Sequence, residues 1–136
     1  MDKKAIIIYA SKHHGNTYKL VKAISNKFGV EIIDATKQAV VNIQEYEIIG
    51  FASGIDFGKF YEVIETFARE NLPLKKEVFF IYTCAMERKG FTNSIKQIVL
   101  EKEAVILGEY GCKGYNTYGP WKLIGAQLSR VATPRP

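Results

Sequence analysis

Three short apolar runs constrain this chain more than any other feature: residues 4–10 (KAIIIYA), 46–52 (YEIIGFA) and 77–83 (EVFFIYT). Each is nearly unbroken and rich in β-branched or aromatic side chains. Such runs suit strands buried on both faces, at the centre of a parallel sheet. Weaker runs at 30–35 (VEIIDA) and 104–110 (AVILGEY) read as further strands. Between them the apolar spacing turns helical. Leu20, Val21, Ile24 and Phe28 share a face within 16–28, and Gly29 is a natural stop. Phe60, Tyr61, Ile64 and Phe67 do so within 57–70, and Asn71-Leu72-Pro73 ends that helix. A third helix over 91–102 groups Ile95, Ile98 and Val99. The order β-α-β-β-α-β-α-β predicts an α/β fold, a mainly parallel five-stranded sheet with helices on both faces.

The chain has 136 residues, which suits one domain over 1–136. No apolar run is long enough to span a bilayer, and the start MDKKAIII is too short for a signal peptide. The expectation is a cytoplasmic protein. Two cysteines, Cys84 and Cys112, are too few for a disulfide framework. They end neighbouring predicted strands, so a redox pair and two buried thiols are both open. The net charge of +5 hints at an anionic ligand or partner.

Ligands of such sheets bind beyond the carboxyl ends of the strands. Small and polar residues gather in the loops there: SKHHGNT, SGIDFG, TCAMERKG and GCKGYNTYGP. The first leads into a helix N-terminus, where backbone N–H groups and the helix dipole favour an anion. Gly15 lets the backbone come close, and Ser11, Asn16 and Thr17 offer side-chain donors. Asn16 or Thr17 as a simple helix cap is the competing reading. The chain has no GxxxxGK[ST] for a nucleoside triphosphate and no GxGxxG for a dinucleotide. The first strand ends on Ala10 without an Asp, and its loop holds no Cys, which argues against a phospho-accepting receiver and a cysteine phosphatase. What remains is a hydroxyl-rich loop that binds a phosphate without breaking it.

That loop resembles the phosphate loop of the flavodoxin family. The likeness runs on through GFASGIDFG to EYGCKGYNTYGPWKLIG, so it covers nearly the whole chain. The common loop has two residues between its hydroxyl residue and its glycine; here Lys12, His13 and His14 make three, and the pair of histidines resembles a branch of the family. The resemblance implies a three-layer α/β/α sandwich with strand order 2-1-3-4-5, and FMN as cofactor. Ser11, Asn16 and Thr17 would bond its phosphate, with Lys12 and the backbone from His13 to Thr17, Gly15 included. The histidines would add partial positive charge, and a nearby dianion would raise their pKa. Ala52, Ser53, Gly54, Ile55, Asp56 and Phe57 would line one side of the flavin ring, with Gly54 the candidate for a flipping peptide. Thr83, Cys84, Ala85 and Met86 would contact its polar edge, and Cys112, Lys113, Gly114 and Tyr115 would close the far side. Tyr82, Tyr110, Tyr115, Tyr118 and Trp121 are all stacking candidates or rim aromatics.

No nucleophile–base pair, carboxylate dyad or metal cluster stands out, which suits a protein whose chemistry is its cofactor's. The resemblance implies an electron-transfer protein that binds FMN non-covalently and shuttles electrons between a reductase and an acceptor protein, with no nucleic acid and no membrane. An NAD(P)H-dependent FMN or quinone reductase and a non-catalytic FMN-binding scaffold are the alternatives. Two features depart from the family pattern. Familiar flavodoxins are acidic, whereas this chain has a sequence pI near 9.1; a basic rim would favour acidic redox partners. Relatives continue into a long final helix, whereas this sequence ends at SRVATPRP. A short helix over PWKLIGAQLSRV would cover part of the sheet; without it, an exposed face would favour a weak homodimer.

Overall fold

The computed structural model describes residues 4–12, 15–38, 42–86 and 88–113. Its strands are β1 (Ala5–Ala10), β2 (Glu31–Asp34), β3 (Ile48–Asp56), β4 (Lys59–Phe60), β5 (Glu77–Cys84) and β6 (Val105–Lys113). Its helices are α1 (Asn16–Phe28), α2 (Glu62–Asn71) and α3 (Asn93–Glu101). The strand order is β2-β1-β3-β5-β6, with all neighbours parallel. Without the two-residue β4, which pairs antiparallel to β3, this is the expected order 2-1-3-4-5.

The reason lies in burial. Every residue of β1 is buried, as are the first seven of β3, so neither strand tolerates a polar face. Alternation divides their side chains between two cores. Ile7, Phe79 and Ile81 join Leu20, Val21 and Ile24 of α1. Ile6, Ile8, Phe51 and Phe80 join Ile64 and Phe67 of α2 and Ile95 and Val99 of α3. Helices therefore cover opposite faces on either side of the point where the strand order reverses, between β1 and β3. Among the described residues, the connection from β2 to β3 holds no helix; Ala35, Ile43 and Tyr46 pack it onto the α2 side. There the Tyr46 hydroxyl donates to Glu31 Oε2, and burial first, then that bond, pushes its pKa well up.

Several boundaries differ from the sequence reading. The helix expected over 57–70 starts at Glu62, because Phe57 and Gly58 form a two-residue hairpin turn with φ of 53° and 77°. Two consecutive positive φ values match a type I′ turn, which suits the twist of the flanking strands. β3 consequently runs four residues beyond 52, so Ser53 to Asp56 are strand and not loop. β6 runs on to Lys113. The third helix is shorter than 91–102, because Phe91 and Thr92 lie in a turn ahead of it. Cys84 and Cys112 are both buried and form no disulfide. Cys112 sits opposite Thr83 and Lys113 opposite Cys84, so alternation sends the two cysteine side chains to opposite faces. The expected helix over PWKLIGAQLSRV lies outside the described residues. Among these residues no helix is long and apolar enough to cross a membrane.

The sheet centre has no slack. A Cβ on Gly50 would lie 2.4 Å from Phe79 Cζ on the neighbouring strand, and Phe79 is fully buried. Gly50→Ala should therefore cost about 1–3 kcal/mol through overpacking. Urea denaturation measures it. Adding Phe79→Leu should recover part of the loss, whereas an undisturbed midpoint in the single variant would contradict this packing.

Candidate functional site

The carboxyl ends of β1, β3 and β5 lie side by side because their registers are fixed: Ala10 sits opposite Ser53, and Gly54 opposite Thr83. α1 starts directly after β1 and brings its N-terminus to this edge. Gly15 precedes it in the left-handed region, at φ 72°. A Cβ there would make only ordinary contact with Ser11 Oγ at 3.9 Å, so the backbone angle, not space, is what calls for glycine.

The first turn of α1 has no acidic residue and no side-chain cap. Its Tyr18 N–H donates to Ser11 Oγ at 3.2 Å, and the Gly15 N–H to the Lys12 carbonyl at 3.1 Å. No acceptor among the described residues takes the amides of Asn16 or Thr17. This turn presents two N–H groups and the dipole of a 13-residue helix, with the Lys12 cation on the loop just before it. That donor set fits a phosphate. Ser11, Lys12 and Gly15 also edge a cleft of about 420 Å³ with Tyr9, Tyr18, Asp34 and Lys37. The Tyr9 and Tyr18 rings meet at 5.7 Å across it, and burial, then Asp34, raises the Tyr9 pKa.

Thr17 does something the sequence reading missed. Its hydroxyl bonds Thr83 Oγ1 at 2.8 Å, with both residues buried. The bond ties the helix N-terminus to the end of β5. Lys12 makes a second tie: its Nζ lies 3.6 Å from Asp56 Oδ2 and 4.2 Å from the centre of the Tyr61 ring. Tyr61 in turn lies against bare Gly54, where a Cβ would come within 2.3 Å of its hydroxyl. Burial, then the Asp56 carboxylate, raises the Tyr61 pKa. Asp56 was expected only as part of the stretch lining the flavin, not as a partner of Lys12, and Tyr61 was no site candidate; the hairpin signal Asp56-Phe57-Gly58 would have placed both.

The remaining candidates divide. Ala52 is fully buried between α1 and the sheet, so its side chain serves the core. Ser53 is fully buried too: its Oγ accepts from the Tyr61 N–H at 2.9 Å and donates to the Gly54 carbonyl at 2.5 Å. It fixes the hairpin base. Gly54 and Ile55 continue the strand toward the hairpin tip, while Ala85 and Met86 are exposed just past β5. Cys84 is buried, with Sγ 3.8 Å from the Cys112 carbonyl. Phe57 at the tip is 97% exposed. His13, His14, Gly114 and Tyr115 lie outside the described residues, as do Tyr118 and Trp121. Among the described residues no three His, Cys, Asp or Glu cluster as a metal site.

A parallel sheet whose strand order reverses between β1 and β3, with a helix N-terminus at that point, defines the doubly wound α/β class, whose ligands sit at such a switch point. The model of the flavodoxin domain family matches residues 6–118, and the chain belongs to that family. An uncharacterized protein of Methanocaldococcus jannaschii is 37% identical over 124 residues, 90% of this chain and 83% of that protein. A Lactobacillus acidophilus flavoprotein solved in complex with FMN aligns with a TM-score of 0.62 at 17% identity, over 80% of this chain and 93% of its own. The two-electron-reduced flavodoxin of Megasphaera elsdenii aligns at 0.68 with 16% identity, over 85% and 90%. These two likenesses establish the fold.

The Thr17–Thr83 bond can be weighed directly. Thr17→Val alone leaves a buried hydroxyl on Thr83 unsatisfied and should cost about 1–3 kcal/mol. The double variant Thr17→Val with Thr83→Val should lose less than the sum of the singles. Strictly additive losses in chemical denaturation would show that the two hydroxyls do not interact.

Proposed function

We propose that this chain binds FMN non-covalently and carries electrons between a reductase and an acceptor protein. The observation that carries the reading is the start of α1, where Ser11, Lys12 and a left-handed Gly15 edge one cleft, the first helical turn holds no acid, and no acceptor among the described residues takes the amides of Asn16 or Thr17. Family membership supports it, as does the flavoprotein of the same fold that holds FMN.

Ser11, Lys12, Gly15, Asn16 and Thr17 would hold the phosphate, joined by His13 and His14. Gly54, Ile55 and the backbone of Ser53 would flank the ring on one side, Thr83 to Ala85 on another, and Gly114 and Tyr115 the last. Bound FMN would supply one- and two-electron transfer, chemistry that no side chain here provides. The chain's own part is positional. Thr17–Thr83 and Lys12–Asp56 hold the loops at fixed separation, and Ser53 stiffens the hairpin base. Asp56 and Lys12 pair, so the site carries no strong excess of negative charge against a reduced, anionic ring.

Exposed Phe57 and Met86 at the carboxyl-end rim give a partner protein apolar contact beside that ring. A net charge of +5 favours an acidic partner and speeds its approach. Phe57 is almost wholly exposed at a left-handed turn position and Met86 is largely exposed, which suits a surface kept for contact.

The FMN-loaded protein, reduced stepwise under argon and separately mixed with NADPH alone, tests the reading. Stepwise chemical reduction should bleach the visible flavin bands while NADPH alone leaves them unchanged. Rapid bleaching by NADPH would contradict the carrier and favour the reductase.

A further inference from the structure

A second cleft, of about 560 Å³, opens between residues 88–90, the start of α3 and β6. It shares no lining residue with the phosphate-loop cleft. Its size lies within the range of small-molecule sites. Among the described residues its charge is lopsided: Arg88, Lys89 and Lys96 face one acid, Glu109.

That acid is already committed. Glu109 Oε1 pairs with Lys96, and its Oε2 accepts from Thr92 Oγ1 at 3.0 Å. The pair cancels one cation and anchors the wall where β6 meets α3. Arg88 and Lys89 are left with no ion-pair partner among the described residues, both exposed at the mouth of one concave space. Two like charges lining one cleft repel to some degree, and a dianion between them would remove that cost. The floor is built rather than loose. Tyr82 is pinned edge-on by Phe91 at 5.6 Å and by Phe60 at 6.3 Å, so its ring is a fixed wall.

We propose that this cleft binds a phosphorylated small molecule, its dianionic phosphate between Arg88 and Lys89 and its body against Tyr82. An arginine fork accommodates carboxylate and phosphate alike, but a phosphate carries two charges on one group that adjacent cations can share. The proposal does not rest on FMN binding. The two sites are nevertheless joined by one segment: Thr83 to Ala85 border the flavin side and Arg88 to Gly90 border this cleft, five residues apart.

Titration with inorganic pyrophosphate, followed by amide ¹H–¹⁵N correlation spectra, separates the two sites by residue. The amides of Gly90, Asn93 and Lys96 should shift along a saturable curve. The exposed double variant Arg88→Gln, Lys89→Gln should weaken that response at least about tenfold, since it removes both charge-assisted contacts. It should leave the response of Gly15 to Tyr18 intact. A charge-matched control on α1, Lys19→Gln with Lys22→Gln, should leave the Gly90–Lys96 response unchanged. Linear, unsaturable shifts, equal weakening in the control, or tighter saturation by succinate than by pyrophosphate would each overturn the proposal.

Discussion

The pairing of three strands buried on both faces sets everything else. β1, β3 and β5 can exist only inside a covered sheet, because their side chains are apolar in both directions. A slip of one residue would exchange the two cores, so the register is strongly held. Fixed register places Ala10, Ser53, Gly54 and Thr83 at one edge. The loops that follow are short, and their starting points are not adjustable. The site is thus a consequence of the core.

The contacts between loops are weaker and of unequal worth. The Thr17–Thr83 bond is buried, and losing one partner strands the other in an apolar setting. The Lys12–Asp56 pair is half exposed, where an ion pair contributes at most about 1 kcal/mol. Its role is alignment, aided by the Tyr61 ring beneath it. A deeper charge sits behind the hairpin. Glu65 is fully buried, with Oε1 3.4 Å from Lys59 and 3.8 Å from Arg69. Its Oε2 has no hydrogen-bond partner among the described residues. Carrying such a carboxylate costs free energy, and its cations join β4 to α2, so the hairpin end is tied at its tip by Lys12 and at its return strand by Glu65.

Strand and helix identity was readable because the two periodicities are clean in this sequence. The unbroken runs became the central strands, and the spacings around Leu20, Ile64 and Ile95 became the helices. The expected helix start at Phe57 failed because apolar residues at 57, 60 and 61 fit a helical face, while the turn preference of Asp56-Phe57-Gly58 overrides that spacing locally. Once β3 extends past Ala52, alternation and pairing bury Ala52 and Ser53, a fact that no loop reading contains. The helix start after β1 was legible from residue types, with Gly15 taking the left-handed position ahead of Asn16. The long-range ties of Thr17 to Thr83 and of Lys12 to Asp56 were not, because no local pattern encodes a contact across 66 or 44 residues.

In the proposed function, the start of α1 grips the phosphate of FMN while the strand ends only frame the ring. The direct measurement is a fluorescence titration of the protein with FMN and, separately, with riboflavin, which lacks the phosphate. Two charge-assisted hydrogen bonds at about 1.5–3 kcal/mol each predict FMN tighter by at least about a hundredfold. Equal affinity for the two, or no quenching by either, would contradict the account.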